Sequence, residues 1–260
     1  MKRLAADLLR RSPRLYDLAC QTYSWLQPTH LKEMLLGVKA QERAWQFRHL
    51  RGGNAWNYTN LPKENEWVIG YWESRFHPHR SFLADRIALY QPKSVVEVGA
   101  NCGPNLYQLA KRLPQAHLVG LDINAEAIRA GNELLRRESI NNASLAVGKV
   151  SDLRLAASRS FDIVFTDATL IYVGPREIEQ TVKEMLRIAN KAVVLLERFH
   201  AGNMRGVYRY GCWERDYPKL FAKLSPKSEI ISTKITRSMW DEERWAESGV
   251  LVEVVRRGME

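Results

Sequence analysis

The sequence predicts an α/β protein: a seven-stranded, mostly parallel sheet with an antiparallel edge strand, preceded by a basic helical extension over residues 1–53. Three observations predict it. From Ser94 onward, short apolar runs alternate with stretches of helical spacing, the pattern of a parallel sheet covered on both faces. The last two apolar runs, Ser228–Ile235 and Gly249–Val255, have only a short connection, which favours an antiparallel pair over another crossover. Gly52-Gly53-Asn54 is the clearest linker signal, and it divides the chain into residues 1–53 and 54–260.

Before the linker, Leu4, Leu8 and Leu9 share a helical face, and Ser12-Pro13 ends one helix and caps the next. Leu15, Leu18, Tyr23 and Leu26 recur at roughly helical spacing until Gln27-Pro28, and Leu31 to Leu50 resumes the pattern. Asn54 to Glu66 reads as irregular and Ser74 to Tyr90 as one helix. Strands are predicted at 94–99, 117–122, 144–148, 161–167 and 191–197, followed by the final pair. Helices are predicted from Pro104 to Leu113, from Asn124 as cap to about Glu138, from Pro175 to Ala189 and from Tyr217 to Leu224.

The 260 residues suit one sizeable domain with an appendage. Cys20, Cys102 and Cys212 are scattered and odd in number, which argues against a disulfide framework and fits a reducing compartment. No apolar run approaches the roughly 20 residues that span a bilayer. Arg10, Arg11 and Arg14 interrupt any signal-peptide core, so a cytoplasmic location is expected. The net charge is +10, of which residues 1–53, with ten Lys/Arg against four Asp/Glu, supply +6. That segment is expected to pack on the catalytic domain as part of a lid. Peripheral contact with an anionic inner membrane surface is the second role open to it, and docking to nucleic acid, which is not favoured, the third.

The chemistry is concentrated in EVGANCGPN, Glu97 to Asn105. Gly99 lets the chain leave a strand in a tight turn, and Gly103 permits close backbone approach to a ligand. Asp122 ends the second strand, where a carboxylate accepts two ribose hydroxyls. An adenosine-type ligand follows. The turn is GxxxG, not the GxGxxG of a dinucleotide site, and Pro104 removes an N–H that a phosphate would use. Glu97 adds negative charge, which suits a cation. The chain contains no GxxxxGK[ST]. Adenosine, a ribose and a positive end without phosphate describe S-adenosyl-L-methionine.

Here the sequence resembles the class I S-adenosylmethionine-dependent methyltransferases, with their Rossmann-like sheet. The resemblance rests on E-x-G-x-x-x-G after an apolar strand, on Asp122, on FDIVFTDATLIYV as fourth strand and on VLLERF as fifth, and runs from about Ser94 to Arg256. It implies that Glu97 faces the amino end of the cofactor, that Gly99, Asn101 and Gly103 pass beneath its methionine part, and that Asp122 and Ile123 flank the ribose. It places the loop of Gly148 to Asp152 beside the adenine. Many members have Gly-Asp-Ala in that loop, where this chain has Gly148-Lys149-Val150. Val150 is an expected adenine contact, and the acidic partner of the adenine amine is Asp152 or absent.

Acceptor residues are expected at the ends of the fourth and fifth strands. Thr166-Asp167-Ala168-Thr169 lacks the Asn/Asp-Pro-Pro-Tyr of exocyclic-amine methylation, and no Pro-Cys nucleophile is present. Asp167 is the candidate to orient an acceptor beside the cofactor, the alternative being a helix cap. His200 is the candidate base. His79, Arg80, Tyr172, Tyr208, Tyr210 and Trp213 are the candidate acceptor contacts. His77 and His79, two apart and without further ligands, are a weak metal signal, and no metal is expected. The sequence favours methylation of a small molecule, sugar or glycoconjugate, at oxygen. RNA methylation and a non-catalytic subunit that kept the fold are the alternatives.

Overall fold

The computed structural model describes residues 66–209 and 212–256. Residues 1–65, including the predicted extension, its linker and the irregular stretch after it, lie outside the described residues, as does Tyr210. Helix α1 spans Glu66–Glu73 and is followed by a 3₁₀ turn, Ser74–Phe76, and α2, Pro78–Ala88. The single helix predicted over 74–90 is thus broken. Pro78 disfavours helical geometry in the residue before it, and His77 is extended at φ −65°, ψ 137°. Pro78 then starts α2, where its missing N–H costs nothing.

The Rossmann-like core follows in order: β1 Ser94–Val98, α3 Pro104–Arg112, β2 His117–Asp122, α4 Ala125–Arg137, β3 Ala143–Val147, β4 Phe161–Asp167, α5 Ile178–Ile188 and β5 Ala189–Arg198. Asn124 caps α4 as predicted, its side-chain oxygen accepting the N–H groups of Glu126 and Ala127. A small antiparallel hairpin comes next, β6 Val207–Arg209 and β7 Cys212–Glu214, where the sequence suggested only a loop. The chain ends with α6 Tyr217–Leu224, β8 Glu229–Lys234, α7 Glu243–Ser248 and β9 Gly249–Val255.

The sheet order is β3-β2-β1-β4-β5-β9-β8. The first five strands pair in parallel, and β9 runs antiparallel between β5 and β8. The two last strands therefore pair as their short connection predicts, and that connection carries α7. The final strand is the inserted one, and β8 closes the edge.

Strand parity sorts the core into two layers and fixes where each acid points. Val95, Ile163, Phe165, Val194 and Leu196 face one layer with Trp72, Leu83 and Leu106 of α1 to α3. Val96, Val164, Val193 and Leu195 face the other with Val182 and Met185 of α5 and Phe221 of α6. Glu97 and Asp167 continue the first set, towards the N-terminal helices. Thr166 and Glu197 continue the second. Each buried Leu, Val or Phe contributes roughly 1.5–3 kcal/mol by leaving water, so slipping either strand by one residue would exchange apolar and acidic side chains at large cost.

Gly99, at the end of β1, has φ +83°, and a Cβ there would lie 2.0 Å from Thr169 Oγ1. Gly99→Ala is expected to destabilise the domain by about 2–4 kcal/mol in urea denaturation. Trimming Thr169 to Ala in the same chain should restore only part, because the backbone strain remains. Full restoration would show that the clash alone demands the glycine.

Candidate active site

The turn after β1 commits its backbone donors to the end of β2 and to itself. Gly99 and Ala100 N–H both donate to Leu121 O, at 2.7 and 2.9 Å, and Gly103 N–H donates to Ala100 O at 2.8 Å. Asn101 N–H donates to Asp122 Oδ2, and Cys102 N–H to Asn101 Oδ1, each at 2.8 Å. Pro104 has no N–H. Gly103 caps α3 in left-handed geometry, φ +85°. The turn is shaped like a ligand cradle but presents no anion-binding nest.

Asp122 ends β2 with 6% of its surface exposed, and its Oδ1 accepts Asn124 N–H at 2.9 Å. Burial raises its pKa, and the N–H groups of Asn124 and Asn101 oppose the rise. Asp122 borders an open cleft. One wall is Val98, Gly99, Ile123 and Gly148 to Val150. The opposite wall is Thr169, Tyr172, Val173 and Glu177.

Beside the glycine turn lies a buried polar cluster. Asn105, on the first turn of α3, donates to Glu97 Oε1 at 2.6 Å and to Asp167 Oδ2 at 3.0 Å. His79 Nε2 and Arg80 Nη1 approach the same Asp167 oxygen at 3.1 and 3.0 Å. Burial pushes Glu97 up to about 8, against the pull of Asn105. Burial would also raise Asp167, but His79, Arg80 and Asn105 outweigh it and hold this carboxyl well below the usual range. Burial lowers His79 to about 4, although Asp167 draws it upward. Glu97 Oε2, Asn105 Oδ1 and Asp167 Oδ1 are buried and accept no hydrogen bond among the described residues. Three buried acceptors without a partner match in number the three N–H donors of an ammonium group.

The wall opposite is clamped from both ends. Glu197, fully buried, accepts the N–H groups of Thr169 and Leu170 at 3.0 and 2.9 Å, that of Ile171 at 3.1 Å, and the Thr166 hydroxyl at 2.7 Å. It thereby caps the 3₁₀ turn Leu170–Tyr172. Burial raises it to about 7, and these donors oppose the rise. At the other end, buried Arg215 donates to Leu170 O at 2.8 Å and to Val173 O. An acid at the N–H end and a guanidinium at the carbonyl end both complement the turn's dipole.

Of the expected residues, Gly99, Asp122, Ile123, Val150 and Tyr172 line the cleft, Glu97 and Asp167 meet in the polar cluster, and Asn101 and Gly103 belong to the turn outside that lining. His79 and Arg80 stand behind Asp167. Asp152 is outside the cleft lining, and its carboxylate accepts Lys149 N–H at 3.0 Å in a local cap. His200 faces Ala201 O and does not border the cleft. Tyr208 and Trp213 pair across the hairpin with ring centroids 5.0 Å apart, also off the cleft walls. The cap that Asp167 offered as an alternative is supplied by Glu197. Sequence reading missed Asn105, Glu197 and the clamping role of Arg215. The signal for Glu197 was available, since an acid ends the apolar run KAVVLLE. Among the described residues, no three His, Cys, Asp or Glu side chains gather as a metal site.

Residues 95–192 match the family model described as a methyltransferase domain. The chain resembles trans-aconitate 2-methyltransferase of Rhodopseudomonas palustris strain BisB18, with 29% identity over 42% of this chain and 39% of that protein. The chain therefore spans about two fifths of the length of the curated relatives it matches. Among solved structures it resembles the magnesium protoporphyrin IX methyltransferase of Synechocystis, at TM-score 0.57 and 13% identity over 84% of this chain and 97% of that one. It also resembles phosphoethanolamine N-methyltransferase 1 of Haemonchus contortus, at TM-score 0.57 and 17% identity over 86% and 51%. These last two likenesses establish the fold. With the matched domain and the E-x-G-x-x-x-G turn, they support the likeness of residues 95–192 to the class I S-adenosylmethionine-dependent methyltransferases.

Proposed function

We propose that the chain binds S-adenosylmethionine in the cleft between Asp122 and Tyr172 and methylates a small molecule, sugar or glycoconjugate at oxygen. The observation that carries the reading is the set of three buried, uncommitted acceptors, Glu97 Oε2, Asn105 Oδ1 and Asp167 Oδ1. They would take the amino group, and Asp122 the ribose hydroxyls. Bound there, the cofactor supplies a methyl group on a positively charged sulfur. The chain's own task is alignment of an acceptor with that carbon. Asp167, held ionised by His79, Arg80 and Asn105, is a poor proton acceptor, so it orients and does not deprotonate. The end of β4, Thr166-Asp167-Ala168-Thr169, supports an acceptor other than a base amine. The trans-aconitate relatives carry a small organic acid in their name, which supports a small acceptor.

Calorimetry tests the cofactor. Asp122→Ala is expected to weaken S-adenosylmethionine binding ten- to a hundredfold, about 1.5–3 kcal/mol. It should also destabilise the domain, because Asp122 holds the N–H groups of Asn101 and Asn124. Unchanged affinity would remove the reading. Label transfer from methyl-tritiated cofactor in a cell extract tests the acceptor. Label among small or solvent-extractable solutes supports the proposal; label in nuclease-sensitive polymer replaces it with RNA methylation. Binding without transfer to any fraction would mark a non-catalytic subunit.

A further inference from the structure

The sheet has two open edges, and they are guarded differently. Among the described residues, β3 pairs with β2 on one side only, as β8 pairs only with β9. An open edge offers a row of backbone N–H and C=O groups to any extended chain, a second copy included. β8, EIISTK, carries exposed charges at both ends, Glu229 and Lys234. β3 reads ASLAV, with neither charge nor proline to guard it, and Val147 is 59% exposed.

The backbone contacts show what takes their place. Leu118 N–H donates to Asn142 O, and Gly148 N–H donates to Asp122 O. Residues 142, 144, 146 and 148 therefore turn their backbone groups towards β2, and Ala143, Leu145 and Val147 turn theirs outward. Leu145 is the middle one of the three, and its groups are taken. The Asn132 amide, on α4, donates to Leu145 O, and its oxygen accepts Leu145 N–H, both at 2.9 Å. A primary amide sets a donor beside an acceptor, as a peptide group does. The two bonds are those that a residue of a neighbouring strand would make. The helix lies close enough because residue 131 is glycine: a Cβ there would be 2.5 Å from Leu145 Cδ1 and from Cys102 O.

We propose that Asn132 is an edge guard: it fills the central pairing position on the open side of β3 and so keeps a second copy of the chain from adding its own β3 there. Two copies would pair antiparallel about Leu145, related by the two-fold axis that most homodimers use. The strand leads into Gly148 to Val150, so the guarded edge ends at one wall of the cleft. The inference stands independently of the proposed function.

The test is sedimentation velocity of the full chain over about 2 to 100 μM, the range in which exposed strand edges associate. Asn132→Ala should gain a concentration-dependent step to twice the parent's mass, where the parent shows none. Amide exchange at Leu145 should be at least tenfold faster in the dilute variant than in the parent, and slow again where the mass has doubled. Adding Ala143→Pro, which removes an outward N–H at the first residue of the strand, should restore the parent's mass. Should Asn132→Ala fail to fold, Asn132→Ser, whose hydroxyl is too short to bridge both groups, takes its place. An unchanged mass at every concentration overturns the guard, since the edge would then be safe without it. Unchanged exchange at Leu145 in the dilute variant overturns it as well. Association that survives Ala143→Pro, or that leaves Leu145 exchanging fast, places the contact on another surface and sinks the proposal.

Discussion

Glu97→Gln is expected to make the protein more stable and a weaker binder at once. Glu97 is 1% exposed, and one of its oxygens has no partner among the described residues. Burial lifts its pKa to about 8 from an ordinary 4.5. Between those values the folded state holds more protons than the unfolded state, so this residue's contribution to stability falls as pH rises through the window. Glutamine has no such dependence. The variant should match the parent near pH 4.5 and exceed it by about 1–3 kcal/mol at pH 8.5. Comparing variant with parent cancels His79, whose lowered pKa gives the opposite slope between about 4 and 6.5. Cofactor affinity should fall ten- to a hundredfold, the worth of one charged hydrogen bond. Urea titrations at pH 5, 7 and 8.5, with calorimetry at pH 7.5, measure both. A stability difference that does not change with pH, or a loss of stability at every pH, would mean that Glu97 is not the strained acid its burial implies.

Removing the other buried acid should do the reverse. Glu197→Ala leaves three backbone N–H groups and the Thr166 hydroxyl without their acceptor. The expected cost is about 3–5 kcal/mol, with a fall in Tm of roughly 6–20 °C. Glu197→Gln, which keeps one oxygen and the shape, should cost less than half as much. The residue touches none of the cleft lining except through Thr169, so cofactor affinity measured well below the new Tm should fall only through loosening of Thr169 and Tyr172. A small loss of stability accompanied by a large loss of affinity would instead place Glu197 in the binding machinery. The two acids are thus expected to part in sign: one is kept for a ligand, the other for the fold.

That contrast marks what sequence reading reached. The strand–turn–helix at Glu97 to Asn105 was legible because apolar periodicity, two glycines and a proline act within a few residues of one another. Asp122 was legible because it ends a strand. Asn105 was not, since its role depends on β4 lying beside β1 and bringing Asp167 within 3.0 Å. Glu197 and Arg215 were misjudged for the same reason: the turn they clamp is 26 to 45 residues away in sequence. Tyr208 and Trp213 looked like pocket aromatics because density along the chain does not reveal a hairpin that pairs them with each other. Strand parity, by contrast, was in the sequence throughout, and it separates Glu97 and Asp167 from Glu197.

The turn after β1 spends the N–H groups of Gly99 to Gly103 on Leu121 O, on Asp122 and on its own oxygens. A cell is crowded with adenine compounds bearing phosphates, and any of them could enter an open cleft. Here a phosphate would find the donors of that turn already committed. The cleft is thereby expected to choose among adenosine ligands by refusal as much as by welcome, and abundant nucleotides should pass it by without competing.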